Sequence, residues 1–167
     1  MQIVNPDDVP RFAALGVTAN VQALWACLDD QMVDLTLPFL APEARQQQYV
    51  FRSLVDAGAA IACGSDWPVS SADPVEAIHV AVNRRAPGSG LAPLLGDQGL
   101  NLREAIGAYT RGSAVINRLG ASTGRIAVGM AADLAVLDCD VLALPPDELA
   151  SARVVGTFVE GRRVFSA

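Results

Sequence analysis

The chain has 167 residues, 51% of them apolar, with a formal net charge of −6. That length accommodates one domain, or one domain plus a small appendage, with a real core, and the apolar content excludes disorder. The acidic balance argues against a nucleic-acid surface, which needs a basic face.

No run approaches the roughly 18 apolar residues of a membrane span. Met1-Gln2-Ile3-Val4-Asn5-Pro6 lacks the basic start and apolar stretch of a signal peptide, so the expected location is the cytoplasm, without membrane contact. All 12 basic residues are arginines and there is one histidine. A lysine Schiff base, a P-loop lysine and a His-x-His metal pair are therefore excluded within this polypeptide. Cys27, Cys63 and Cys139 are far apart and odd in number, which fits reduced thiols serving as small core residues.

In chain order, Gln2-Ile3-Val4 reads as a strand fragment, and Asn5-Pro6-Asp7-Asp8 as a helix start, with a cap residue, proline at the first helical position and acidic residues in the first turn. The helix is predicted to run to Leu15 and stop at Gly16. Val17 to Gln22 reads as a strand that brings Asn20 and Gln22 toward its carboxyl end. Ala23 to Ala41 shows no clean period and reads as a long loop. Its Asp29-Asp30 pair offers metal ligands or, as the commoner use, a solvated turn. Pro42-Glu43 opens a helix whose apolar stripe is Tyr49, Phe51, Leu54 and Val55, closed by Gly58.

Ala59 to Cys63 is too short for a helix and is bracketed by Gly58 and Gly64, so it reads as a buried strand. Asp66 follows its carboxyl end, where the chemistry of parallel α/β folds collects. A purely local cap or turn is the alternative for this carboxylate. Asp73-Pro74 starts a helix with Val75, Ile78 and Val82 as its stripe and His79 at the stripe edge, a packing or surface position. Cys63 and His79 are discounted as a nucleophile pair because a thiol inside a buried strand is usually inert.

Ala86 to Asn101 reads as a loop, and Asn101-Leu102-Arg103-Glu104 as a capping box that starts a helix continuing past Gly112-Ser113 toward Leu119. In that helix Thr110 and Arg111 read as surface. From Ser122 the pattern turns to strands: Gly124 to Asp138 is a turn and strand, and Val154 to Val159 and Arg162 to Phe165 flank a Glu160-Gly161 hairpin turn. The expected division is 1–121, built of βαβ units, and 122–167, an all-β tail.

Four stretches together resemble the metal-dependent amidohydrolase superfamily. They are Gly64-Ser65-Asp66-Trp67-Pro68-Val69, Ala81-Val82-Asn83-Arg84-Arg85, Leu102 to Thr110 and Gly124 to Asp138. Within the superfamily the chain is most similar to amidohydrolase family 3, which contains the YtcJ-like hydrolases. The resemblance implies the C-terminal part of a (β/α)8 TIM-like barrel followed by a small β-sandwich segment, because such a barrel needs about 250 residues. It aligns Gln2-Ile3-Val4 with the end of barrel strand six, Val17 to Gln22 with strand seven and Ala59 to Cys63 with strand eight.

By the same resemblance, Asp66 is the strand-eight aspartate that binds a catalytic divalent metal, zinc in the usual case, and moves the proton of the attacking water. The family's histidine ligands and its lysine carbamate or acidic bridge have no counterpart in this chain. The implied activity is hydrolysis of non-peptide C–N bonds in a small-molecule amide, or of the C–O bond of a small-molecule ester. The isolated chain is expected to be incompetent alone, acting with a companion chain or the rest of a longer polypeptide. The rival expectation is a non-catalytic remnant that folds by forming a homo-oligomer or by pairing with a companion chain.

Overall fold

The computed structural model describes residues 1–167. A 3-10 turn at Pro6–Asp8, capped by Asn5 Oδ1 accepting from the Asp7 amide at 3.0 Å, leads into α1 (Val9–Ala14). Gly16 takes a φ of 65°, which ends the helix where the sequence predicts it. β1 (Thr18–Val21) follows, and after α2 (Pro42–Arg45) and α3 (Phe51–Asp56) the chain enters β2 (Ala60–Cys63). β1 and β2 pair in parallel, Thr18 opposite Ala60 and Val21 opposite Cys63. A parallel pair needs cover on its faces. Here Val21 and Ala62 are fully buried within a core that includes Phe51, Leu54 and Val80.

Four expectations for this half are corrected. Gln2-Ile3-Val4 is not a strand of the sheet: Ile3 makes one isolated antiparallel bridge, to Gln48. The helix expected from Pro42 to Gly58 is two short helices, because Tyr49 at φ 49° breaks the periodicity between them. The stretch 23–41 is not an open loop but a succession of short turns, 3-10 at Ala23–Trp25 and Leu37–Phe39 with a π-helical turn at Gln31–Thr36 between them. In α4 (Pro74–Asn83) the most deeply buried residues are Ala77, His79, Val80 and Ala81 rather than Val75, Ile78 and Val82. Small side chains let α4 approach the core closely, and the larger aliphatics at 75 and 78 turn to a second cleft.

Arg84 closes α4. It is fully buried in the left-handed conformation, φ 57°, and donates to three backbone carbonyls: Leu94 at 2.9 Å, Tyr49 at 3.1 Å and Gln48 at 3.5 Å. Its guanidinium also lies 4.8 Å from the centre of the Phe51 ring. No carboxylate pairs with it, and burial lowers its pKa to about 10, so it stays charged at neutral pH.

α5 (Leu102–Gly107) begins with the predicted capping box: Glu104 N donates to Asn101 Oδ1 and Asn101 N to Glu104 Oε2. Through a π-helical turn at Ala108–Gly112 it continues into α6 (Ser113–Ile116), and helical structure ends three residues before Leu119. The tail is a three-stranded antiparallel sheet of β3 (Leu134–Leu137), β4 (Val154–Val159) and β5 (Arg162–Ser166). Glu160 and Gly161 both have positive φ, 50° and 78°, as a two-residue type I′ hairpin requires. The tail is not purely β, since 3-10 turns at Val141–Ala143 and Pro146–Ser151 lie between β3 and β4. No helix is long and apolar enough to cross a membrane.

Candidate functional site

β1 and β2 deliver their carboxyl ends side by side, joined by the Gly64 amide donating to the Val21 carbonyl at 3.1 Å. The helix after residue 102 fixes this end of β2. Ser113 Oγ donates to the Cys63 carbonyl at 2.6 Å, and the Tyr109 hydroxyl lies 3.5 Å from the Gly64 carbonyl. Gly112 is required here, because a Cβ at that position would run into the Ile61 carbonyl. The sequence after Cys63 therefore leaves a rigid strand end rather than a free loop.

The loop 64–69 closes on itself. Ser70 Oγ donates to the Ser65 carbonyl, the Trp67 amide to Ser65 Oγ at 3.2 Å and the Val69 amide to the Asp66 carbonyl at 2.8 Å. These bonds use backbone and serine groups, and the Asp66 carboxylate caps nothing. Asp66 itself is exposed, at a φ of 61°, a conformation that Asp tolerates better than most residues. Of the local alternative, the turn holds, since Asp66 opens the turn that the Val69 amide closes, and the cap does not, since the carboxylate accepts no hydrogen bond within the chain.

Asp66 lines a cleft of about 290 Å³ together with Gln22, Trp25, Asp29 and Tyr49. Asp29 is exposed and accepts from the Met32 amide at 2.7 Å, so the solvated-turn reading holds for one of its oxygens. Tyr49, expected on a helix stripe, instead forms a wall of this cleft. The signal for it in the sequence is weak, because its position follows from the left-handed break at residue 49.

A second, larger cleft of about 800 Å³ lies among α4, the helices of residues 102–116 and the tail, and its walls include Val75, Ile78, Ile106, Leu134 and Leu137. Its carboxylate, Asp133, is already committed: Oδ2 accepts from Thr123 Oγ1 at 2.7 Å and Oδ1 from the Glu160 amide at 2.8 Å. That cleft is an apolar seam between body and tail, and the one carboxylate of the two clefts with no hydrogen bond within the chain, Asp66, is in the smaller one.

The remaining candidates do not join Asp66. Cys63 is buried and its thiol is pushed up to about 12 by desolvation, which makes it inert as a nucleophile. Burial likewise raises Cys27 to about 11. Cys139 is exposed, correcting the expectation that all three are core residues. His79 is buried where α4 meets Pro146–Ser151. Its Nδ1 is 3.3 Å from Asn83 Nδ2, its Nε2 has no partner, and burial lowers its pKa. Thr110 and Arg111 are on the helix surface, as expected.

No group of three or more His, Cys, Asp or Glu side chains is placed to hold a metal ion. Catalytic zinc sites typically take three protein ligands, so the residues of this chain do not by themselves fit such an ion.

Residues 1–165 match a model of the amidohydrolase family. The chain is 28% identical over 165 residues to YtcJ of Bacillus subtilis (strain 168), a protein bearing an amidohydrolase name, covering 98% of this chain and 31% of that protein. It is 34% identical over 110 residues to the N-substituted formamide deformylase of Arthrobacter pascens, covering 66% of this chain and 20% of the enzyme. Among solved structures, an uncharacterised metal-dependent hydrolase from Pyrococcus horikoshii OT3 superimposes with a TM-score of 0.72 at 29% identity, over 87% of this chain and 29% of its own. The chain thus spans less than a third of the length of these relatives.

Proposed function

The chain belongs to the amidohydrolase family, and from that premise we propose that it is the C-terminal part of a metal-dependent hydrolase acting on the non-peptide C–N bonds of small amides, or on the C–O bond of an ester. In this reading residues 1–121 are the end of the barrel and residues 122–167 a segment of the β-sandwich. β1 and β2 correspond to strands seven and eight. A cytoplasmic location is part of the same proposal.

The observation that carries the reading is the Asp66 carboxylate. It is held at the carboxyl end of a parallel strand, in a polar cleft, with no structural duty. We assign it two roles, as one ligand of a divalent metal, zinc in the first instance, and as the acceptor of a proton from the attacking water. The other ligands lie outside this chain, and no metal-dependent step is derived from its residues alone. The deformylase relative, named for cleaving N-substituted formamides, supports a C–N bond as the target.

The test uses a polypeptide that extends this chain to the relatives' length. Its zinc content and hydrolysis of N-substituted formamides are expected to fall together in Asp66→Asn, activity by about 100-fold or more. Full metal content and full activity in that variant would overturn the assignment.

A second reading, a non-catalytic chain that folds by pairing with a copy or a companion, is favoured by one observation: the five residues of β5 are all exposed, Val164 and Phe165 included. Sedimentation separates the two, since a folded monomer at micromolar concentration is incompatible with the second.

A further inference from the structure

The charged side chains of the cleft beside Asp66 are all of one sign. Its walls hold two carboxylates, Asp29 and Asp66, no arginine or histidine, and Met1, whose amino terminus is the one source of positive charge among them. Trp25 supplies an indole surface and Tyr49 a phenol. Tyr49 is only 7% exposed, yet its hydroxyl makes no hydrogen bond within the chain. Burial raises its pKa to about 12, with the nearby Arg84 opposing and Asp29 reinforcing the shift. At neutral pH it is an uncharged phenol whose oxygen can accept from a donor ligand. Asp29 has one oxygen fixed by the Met32 amide, which orients the carboxylate and leaves the other oxygen open.

We propose that this cleft binds a protonated amine, the ammonium end of a small substrate, with Asp29 as counter-ion, Trp25 as the face it packs on and Tyr49 as a hydrogen-bond acceptor. An ammonium between a carboxylate and an indole gains a charge-assisted hydrogen bond and a cation–π contact. An anionic ligand would instead meet two carboxylates, with only the amino terminus at Met1 to oppose them. The volume of about 290 Å³ is at the small end for ligand pockets and suits an amine on a short alkyl chain. That the amide of the same molecule reaches Asp66 rests on the hydrolase reading; the charge preference does not.

The probes are N-acetylputrescine and its uncharged isostere N-pentylacetamide, titrated calorimetrically into the 167-residue chain in the presence of EDTA. The cation is expected to bind at least about tenfold more tightly. Asp29→Asn is expected to abolish that preference, and because the new amide oxygen can still accept from the Met32 amide, the variant keeps the cap. Tyr49→Phe is expected to weaken the cation and leave the neutral probe unchanged. Equal binding of the two probes, no binding of either, or an undiminished preference in Asp29→Asn overturns the proposal. None of these readouts needs turnover. A charge preference in a chain whose extended form fails to hydrolyse amides would count against the hydrolase reading alone, and turnover without the preference would count against this one alone.

Discussion

The parallel pair β1–β2 and the antiparallel sheet β3–β4–β5 are both small, and only the first is embedded. Of the 28 buried residues, only Leu149, Ala152 and Gly156 lie beyond residue 121. Two parallel strands are a poor sheet by themselves, so what keeps them is the shell around them: Phe51, Leu54 and Val80 beneath, and Gly112 and Ser113 against the end of β2. The tail has more strands and better ladders but almost no core. Hydrogen bonding and burial are thus divided between the two regions, and stability should follow burial.

The largest test of that division is Arg84. Replacing it by alanine leaves the carbonyls of Leu94 and Gln48 without their donor, removes one of the two donors to the Tyr49 carbonyl, which keeps the Phe51 amide, and opens a void against Phe51. Unsatisfied buried groups and cavities each carry penalties of a few kcal/mol, so a loss of at least about 3 kcal/mol is expected by urea denaturation. Arg84→Lys should recover only part of it, since an ammonium lacks the planar fork that reaches several acceptors together. A loss below about 1 kcal/mol would mean that the body does not depend on this arginine.

The contact between the regions is the next test, through pH. His79 sits where α4 meets Pro146–Ser151, beside Asn83, which donates to the Pro146 carbonyl at 2.7 Å, and the Arg85–Asp147 ion pair. Burial lowers the pKa of His79 below the usual 6.5, with Asp147 and Glu76 opposing and Arg85 reinforcing the shift. The folded state therefore favours the neutral ring. Its stabilising contribution is complete above the unfolded pKa and is lost as pH falls from about 6.5 toward the folded value. The urea midpoint should drop further between pH 7 and pH 5 in the wild type than in His79→Gln, with amide exchange rising first in β3 to β5. Asp133 and Asp138, whose pKa values hydrogen bonds to the Glu160 and Arg153 amides hold down, act in a separate window below about pH 4. Equal pH dependence in the variant would remove His79 from the account.

Both β1–β2 strands, the Asp73 and Asn101 caps and the Glu160-Gly161 turn could be read from the sequence, because each rests on local chemistry within a few residues. Asp66 was legible for the same reason, as a carboxylate just past a short apolar run. What escaped was non-local. Arg84 stands in the sequence as half of an isolated Arg-Arg pair, and only the convergence of three distant carbonyls makes it a core residue. Tyr49 reads as one position of a helical stripe, and only its left-handed backbone turns it into a wall of the cleft. The buried face of α4 was legible only in part: Ile78 and Val82 do pack against the core, but alanines at 77 and 81, which are buried more deeply, carry little pattern weight.

The smallest expected effect is the one that most sharpens the contrast. Phe165 is half-exposed on β5, a strand with no buried residue. Truncating a buried phenylalanine such as Phe51 should cost about 3–5 kcal/mol, whereas Phe165→Ala should change the stability of a monomeric chain by no more than about 0.5 kcal/mol. The same pair of variants measured at two protein concentrations separates a bare tail from a covered one. If Phe165→Ala costs more than about 1 kcal/mol, and more at high concentration than at low, the β5 face is buried against a second copy, since only association makes stability depend on concentration. If the cost stays within about 0.5 kcal/mol at both, the three-stranded sheet stands without cover in the isolated chain, and the stability of the molecule resides in the body that holds Asp66.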